Sequence, residues 1–134
     1  MFTINQYNAV KTYCERIVKR AKANLRRKKK IASGALYQSI SYKINRQKET
    51  FYFEWDAHGD FVEKGRRRGG RMPPIKPLEK WIKQRGLDLS AWAVAKSIQK
   101  KGIKPVPFIT PEIDKSEDEL VGLLEEAIER DLGD

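Results

Sequence analysis

The ten residues from Gly65 to Pro74 hold three glycines, four arginines and two prolines, and that composition interrupts any regular element. Gly65, Gly69 and Gly70 permit backbone angles closed to other residues, while Pro73, Pro74 and the following Pro77 remove donors and stiffen the exit. Apolar residues flank the segment, Phe61-Val62 before it and Leu78, Trp81 and Ile82 after it. A loop projecting from a fixed base is expected, carrying Arg66, Arg67, Arg68 and Arg71. The guanidinium fork suits carboxylate or phosphate, so a polyanionic partner fits such a loop, and a solvated loop that keeps the chain soluble fits it as well.

The chain has 134 residues, which suits one domain spanning 1–134 with its own hydrophobic core. No apolar run approaches the roughly 20 residues that cross a bilayer, and Asn5, Gln6 and Asn8 interrupt any signal-peptide pattern. A protein made in a cytoplasm, without membrane contact, is the expectation. Cys14 is the sole cysteine, which excludes an intrachain disulfide and a thiolate cluster and leaves a small apolar filler. The formal charge is +10, divided unevenly: residues 112–134 hold ten acidic against two basic residues, and residues 1–111 hold 26 basic against eight acidic. Formal charges of −8 and +18 suit one face on an anion and another on a basic neighbour, including a copy of the same chain.

Periodicity predicts a long helix over 3–30, from Tyr7, Val10, Cys14, Ile17, Val18, Ala21 and Leu25, with Thr3 as its cap. Its end, Arg26, Arg27, Lys28, Lys29 and Lys30, puts cations at the negative pole of the helix dipole. Alternation of Leu36, Ile40, Tyr42 and Ile44 predicts a half-buried strand after Gly34. A second strand, Thr50 to Trp55, has Phe51, Phe53 and Trp55 on one face, and residues 45–49 turn between the two. A helical turn over 61–64 precedes the glycine loop. A helix with Leu78, Trp81 and Ile82 buried follows it and stops at Gly86. Asp88 or Ser90 caps the next, which carries Ala91, Val94, Ala95 and Ile98 and ends at Gly102. Trp81 and Trp92 both read as packing. Pro105 and Pro107 make 103–109 extended, and Thr110-Pro111-Glu112 opens a last helix to about 131, with acids opposite Ile113, Leu120, Leu123, Leu124, Ala127 and Ile128. The fold class is α+β: long N- and C-terminal helices packed on a small antiparallel hairpin, with short helices between.

Catalytic signals are sparse. His58 is the single histidine, with no nucleophile elbow nearby. Glu54, Asp56, Asp60 and Glu63 with Lys64 suggest a metal-dependent nuclease, yet acids alternating at a strand end do not converge. Glu63 reads better as a partner for an arginine or for the glycine loop's backbone donors. Neither a P-loop nor a zinc spacing is present, and no metal or cofactor is expected. The two helices around Gly86 resemble helix-turn-helix superficially, with Lys96, Gln99, Lys100 and Lys101 on the second. That gives a second functional reading, a small basic nucleic-acid-binding protein.

Several motifs in order resemble another group. Ser33-Gly34-Ala35-Leu36-Tyr37-Gln38-Ser39-Ile40, Phe61-Val62-Glu63-Lys64-Gly65, the Pro73 to Trp81 segment, the run ending Lys101-Gly102-Ile103, and Pro107-Phe108-Ile109-Thr110-Pro111 are similar to the tail-completion, or head–tail joining, family of long-tailed bacteriophages and prophages, related to the minor tail protein Z of phage lambda. The likeness spans about 33–112. Gly34, Glu63, Gly65, Pro73, Pro74, Trp81, Pro107 and Phe108 are its structural positions. Arg66 stands where the family usually has a small residue, and Glu112 where alanine is common.

The resemblance implies a virion protein without enzymatic activity, a homo-oligomeric ring, commonly of six, in the phage neck between the head connector or adaptor and the tail terminator or tail tube. In a ring of six the loop arginines would number about two dozen. Facing the lumen they would hold packaged double-stranded DNA by its phosphates, and facing outward they would dock an acidic neighbour. The basic helix 3–30 and acidic helix 111–131 are then expected to be complementary sides of subunit contacts.

Overall fold

The computed structural model describes residues 1–27, 34–56, 59–84, 86–102 and 104–133; Lys28, Lys29, Lys30, Ser33, His58 and Ile103, named above, lie outside them. Helix α1, Ile4–Arg27, runs through the centre. Thr3 and Gln6 cap it reciprocally: Thr3 Oγ1 accepts from the Gln6 N–H and Gln6 Oε1 accepts from the Thr3 N–H, each at 3.1 Å. This is a capping box, which satisfies two otherwise orphaned donors. Val10, Tyr13, Cys14, Ile17, Ala21 and Leu25 form the buried stripe, against which Leu36, Ile40, Val62, Phe108 and Ile109 pack. Desolvation pushes the Cys14 thiol up to about 12, with the charge of Glu15 adding to it, so the residue behaves as apolar filler.

Gly34–Ser39 forms a short helix, α2, where a strand was expected. Leu36 and Ile40 are four apart, a spacing that fits one helical turn as well as strand alternation. Both are buried, and the Ser39 hydroxyl donates to Leu36 O at 2.8 Å while accepting the Asp56 N–H at 2.9 Å. Strand β1, Ser41–Asn45, then pairs antiparallel with β2, Thr50–Glu54. The register sets Tyr42 opposite Phe53 and Ile44 opposite Phe51, so all four side chains share the face that packs on the core. Phe51 meets Tyr13 of α1 edge to face at 5.9 Å.

Helix α3, Gly59–Lys64, leads into the arginine loop, and α4, Ile75–Gln84, and α5, Ala91–Lys101, form a helical pair packed chiefly on each other. Ser90 caps α5, its hydroxyl accepting the Ala93 N–H at 3.3 Å. The C-terminal helix is divided: α6, Thr110–Asp114, and α7, Glu117–Gly133, meet at Ser116. Ser116 is buried, and its hydroxyl bonds to Tyr13 Oη at 2.7 Å and to Ile113 O at 3.1 Å. Those bonds fix a turn that the apolar pattern alone did not mark. The break leaves Ile113 at 36% and Ile128 at 44% exposure, both expected on the buried side.

Helix α7 lies antiparallel on α1, joined by Thr3 and Asn5 to Asp131 at one end and by Arg16 and Arg20 to Glu119 nearer the other. The complementary charges expected between subunits are thus partly engaged within one chain. Hydrogen bonds from Arg20 and then Arg16 hold the Glu119 carboxyl down from 4.5 to about 2. Its contribution to stability is complete above about pH 4.5 and fades as the pH falls through about 2. Because the arginines are 40–48% exposed, Glu119→Gln should cost about 1 kcal/mol at neutral pH. Urea titrations should show that difference shrink in high salt and vanish near pH 2; a cost unchanged by either would refute the ionic origin.

Candidate functional site

The arginine loop does not project freely; it lies back on the C-terminal end of α5. The Gly69 N–H donates to Gln99 O at 2.7 Å, and Gln99 Nε2 donates to Gly70 O at 3.2 Å. Arg66 Nη1 bridges the loop to Arg71 O at 3.0 Å. Gly65 and Gly69 adopt positive φ, and Gly70 does not. Gly102 makes the seat. At φ 74° it leaves α5, and an added Cβ would lie 2.6 Å from Arg66 O and 2.9 Å from Arg68 N. Pro73 is fully buried at the exit, ahead of α4, where Leu78 and Ile82 are buried and Trp81 half-buried.

This seating leaves Arg67, Arg68 and Arg71 exposed and Arg66 half-buried. Beside them Gly69, Lys96, Ser97, Gln99 and Lys100 line an open cleft of about 520 Å³. Lys96 and Lys100 therefore join the loop in one cationic surface. Their four-residue spacing marked them as one helix face, yet nothing in the sequence put that face beside the loop. Trp92, read above as packing, is 58% exposed on this helix, with Lys96 Nζ over its ring at 5.4 Å. It stands at the edge of the exposed side formed with Ala93, Lys96 and Ser97, while Ala95 is fully buried.

Arg26 and Arg27 are engaged elsewhere. Arg26 bonds to the Tyr37 hydroxyl and stacks over that ring at 5.4 Å, with Lys22 Nζ at 5.2 Å; Arg27 bonds to the Asn24 side chain. The loop arginines meet α5 and Arg26 meets α2, so the two groups belong to different neighbourhoods. Around Tyr37, the residues Glu15, Lys19, Lys22, Arg26 and Tyr42 border a groove of about 390 Å³ that sequence reasoning did not foresee.

Glu63 is engaged by a more distant segment than the arginine or glycine-loop donors expected. Its buried carboxylate accepts the backbone N–H groups of Phe108, Ile109 and Thr110 at 2.7, 3.2 and 2.9 Å. Val62 O accepts the Val106 N–H alongside at 2.7 Å. Pro107 stands exposed and Phe108 fully buried, its ring edge to face with Trp55 at 5.7 Å. Nearby, Asn24 Nδ2 donates to Phe108 O and Glu112 Oε1, both at 3.0 Å. That bond, with Lys115 at 3.3 Å, lowers the Glu112 carboxyl. Glu54, Asp56 and Asp60 line one open pocket, in which Glu54 pairs with Lys43 at 3.8 Å and Asp60 accepts from Trp55 Nε1 at 3.0 Å. Among the described residues no three His, Cys, Asp or Glu side chains converge as a metal site, and no helix is long and apolar enough to cross a membrane. The chain matches no family model, no curated protein and no solved structure.

Proposed function

We propose that this protein is a structural component of the phage neck, without enzymatic activity or cofactor, assembled as a ring of copies between the head connector and the tail. One observation carries the reading: motifs far apart in the chain, whose order is that of the head–tail joining family, bond directly to each other. Glu63 of the Val-Glu-x-Gly turn holds the backbone of the Pro107 to Pro111 motif, and Gly102 seats the arginine loop. Their co-occurrence then has a physical reason, since each motif completes another.

In such a ring Arg67, Arg68 and Arg71 repeat with every copy, about eighteen guanidinium groups for six subunits. A collar of that kind holds a polyanion by its phosphates without reading bases. The loop's attachment to α5 supports this use, because seated arginines lose less freedom on contact than arginines on a free loop. Electron micrographs of the protein mixed with the products of the adjacent genes test the reading. Rings capping a connector or tail tube are expected; absence of the protein from purified virions by mass spectrometry would overturn it.

The cluster of Lys96 and Lys100 beside the loop favours one second reading, a small basic nucleic-acid-binding protein acting as a monomer. That reading expects the isolated chain to bind duplex DNA with an affinity falling steeply in salt, and to lose most of it when Arg67, Arg68 and Arg71 become alanine.

A further inference from the structure

Helix α7 carries two parallel rows on its outer side. Val121, Ile128 and Leu132 are 46%, 44% and 82% exposed and recur at steps of seven and four, a single stripe of a helix. Asp118, Glu125 and Glu129, also exposed, recur at the same steps three residues earlier, so acids flank the apolar stripe along its length. The inner side of α7 is occupied by α1. On α5, Trp92, Lys96 and Lys100 form an exposed row at steps of four, continued by Leu89, 53% exposed, just before the helix. One face is apolar and acidic, the other apolar and basic.

We infer that these two faces bind each other between copies, α7 of one subunit lying antiparallel on α5 of the next; this rests on the ring reading and supplies its interface. Laid antiparallel, Lys96 comes opposite Glu129 and Lys100 opposite Glu125, with Trp92 within one residue of Leu132. A four-residue step is about 6 Å on either helix, so both ion pairs form in one register. The occupant is a second copy because the chain itself holds the matching charge, apolar bulk and spacing. The faces also differ from each other, which makes the contact head-to-tail; such contacts close into rings or extend as filaments and do not stop at two-fold dimers.

Charge reversal tests it by sedimentation at low salt and high protein concentration. Glu125→Lys with Glu129→Lys makes both faces basic, and Lys96→Glu with Lys100→Glu makes both acidic; each variant should self-associate at least roughly tenfold more weakly than the native chain. An equimolar mixture of the two should regain association, with the variants alternating. Trp92→Ala and Ile128→Ser, which change no charge, should also weaken it, and Glu126→Lys, on another side of α7, should not. Circular dichroism confirms that each variant folds. Association at native strength in each double variant by itself would overturn this interface and leave the ring reading intact. A native chain that never self-associates, and is absent from virions, would overturn both.

Discussion

Replacing Glu63 with alanine should lower the melting temperature by roughly 10–20 °C, a loss of about 3–5 kcal/mol for a chain of this size. The carboxylate is 7% exposed and accepts three consecutive backbone N–H groups. Phe108 and Ile109 are fully buried, so two of those donors cannot turn to water, and an unsatisfied buried donor costs about 1–3 kcal/mol. The third, from Thr110, lies in the first turn of α6, where a negative charge also complements the exposed helix donors. Glu63→Gln keeps the shape and removes the charge, and should cost about 2 kcal/mol. Thermal and urea unfolding measure both. A fall of less than about 3 °C for the alanine variant would show that the clasp is not what fixes the 106–110 segment.

The Gly102→Ala variant should detach the arginine loop from α5. Its Cβ would stand 2.6 Å from Arg66 O and 2.9 Å from Arg68 N, both backbone atoms that cannot rotate aside, at a φ of +74°. Strain at such a φ and loss of the loop contacts together predict about 2–3 kcal/mol of destabilisation. The amide of Gly69, bonded to Gln99 O, should exchange with solvent far faster, and anion or partner affinity should fall although every arginine remains. Gly69→Ala is the matched comparison, with a similar φ of +73° and nothing within 4 Å of its Cβ; it should cost about 1 kcal/mol and leave the loop seated. Unchanged exchange at Gly69 in the Gly102→Ala protein would refute the seat.

Much of the site was legible in pieces. The loop's limits follow from its glycines and prolines, Ser90 and Gly102 mark the ends of α5, and Glu63 stands out as an acid directly after the apolar pair Phe61-Val62. Its partner could not be read, because the donors it holds lie 45 to 47 residues away and are backbone groups that every residue carries. Nor could the cluster of Lys96 and Lys100 with the loop, which depends on how the α4–α5 pair folds back.

The sequence alone determined the long first helix, the hairpin and its inward aromatic face, and the stops at Gly86 and Gly102. Each rests on a period or a backbone permission contained within a few residues. Tertiary structure decided that 34–39 coils rather than extends, that the last helix breaks at Ser116, and that Trp92 faces out. It also decided that part of the opposing charge of α1 and α7 is joined within the chain. Those outcomes turn on which distant surface offers burial or a hydrogen-bond partner, and no local pattern encodes that.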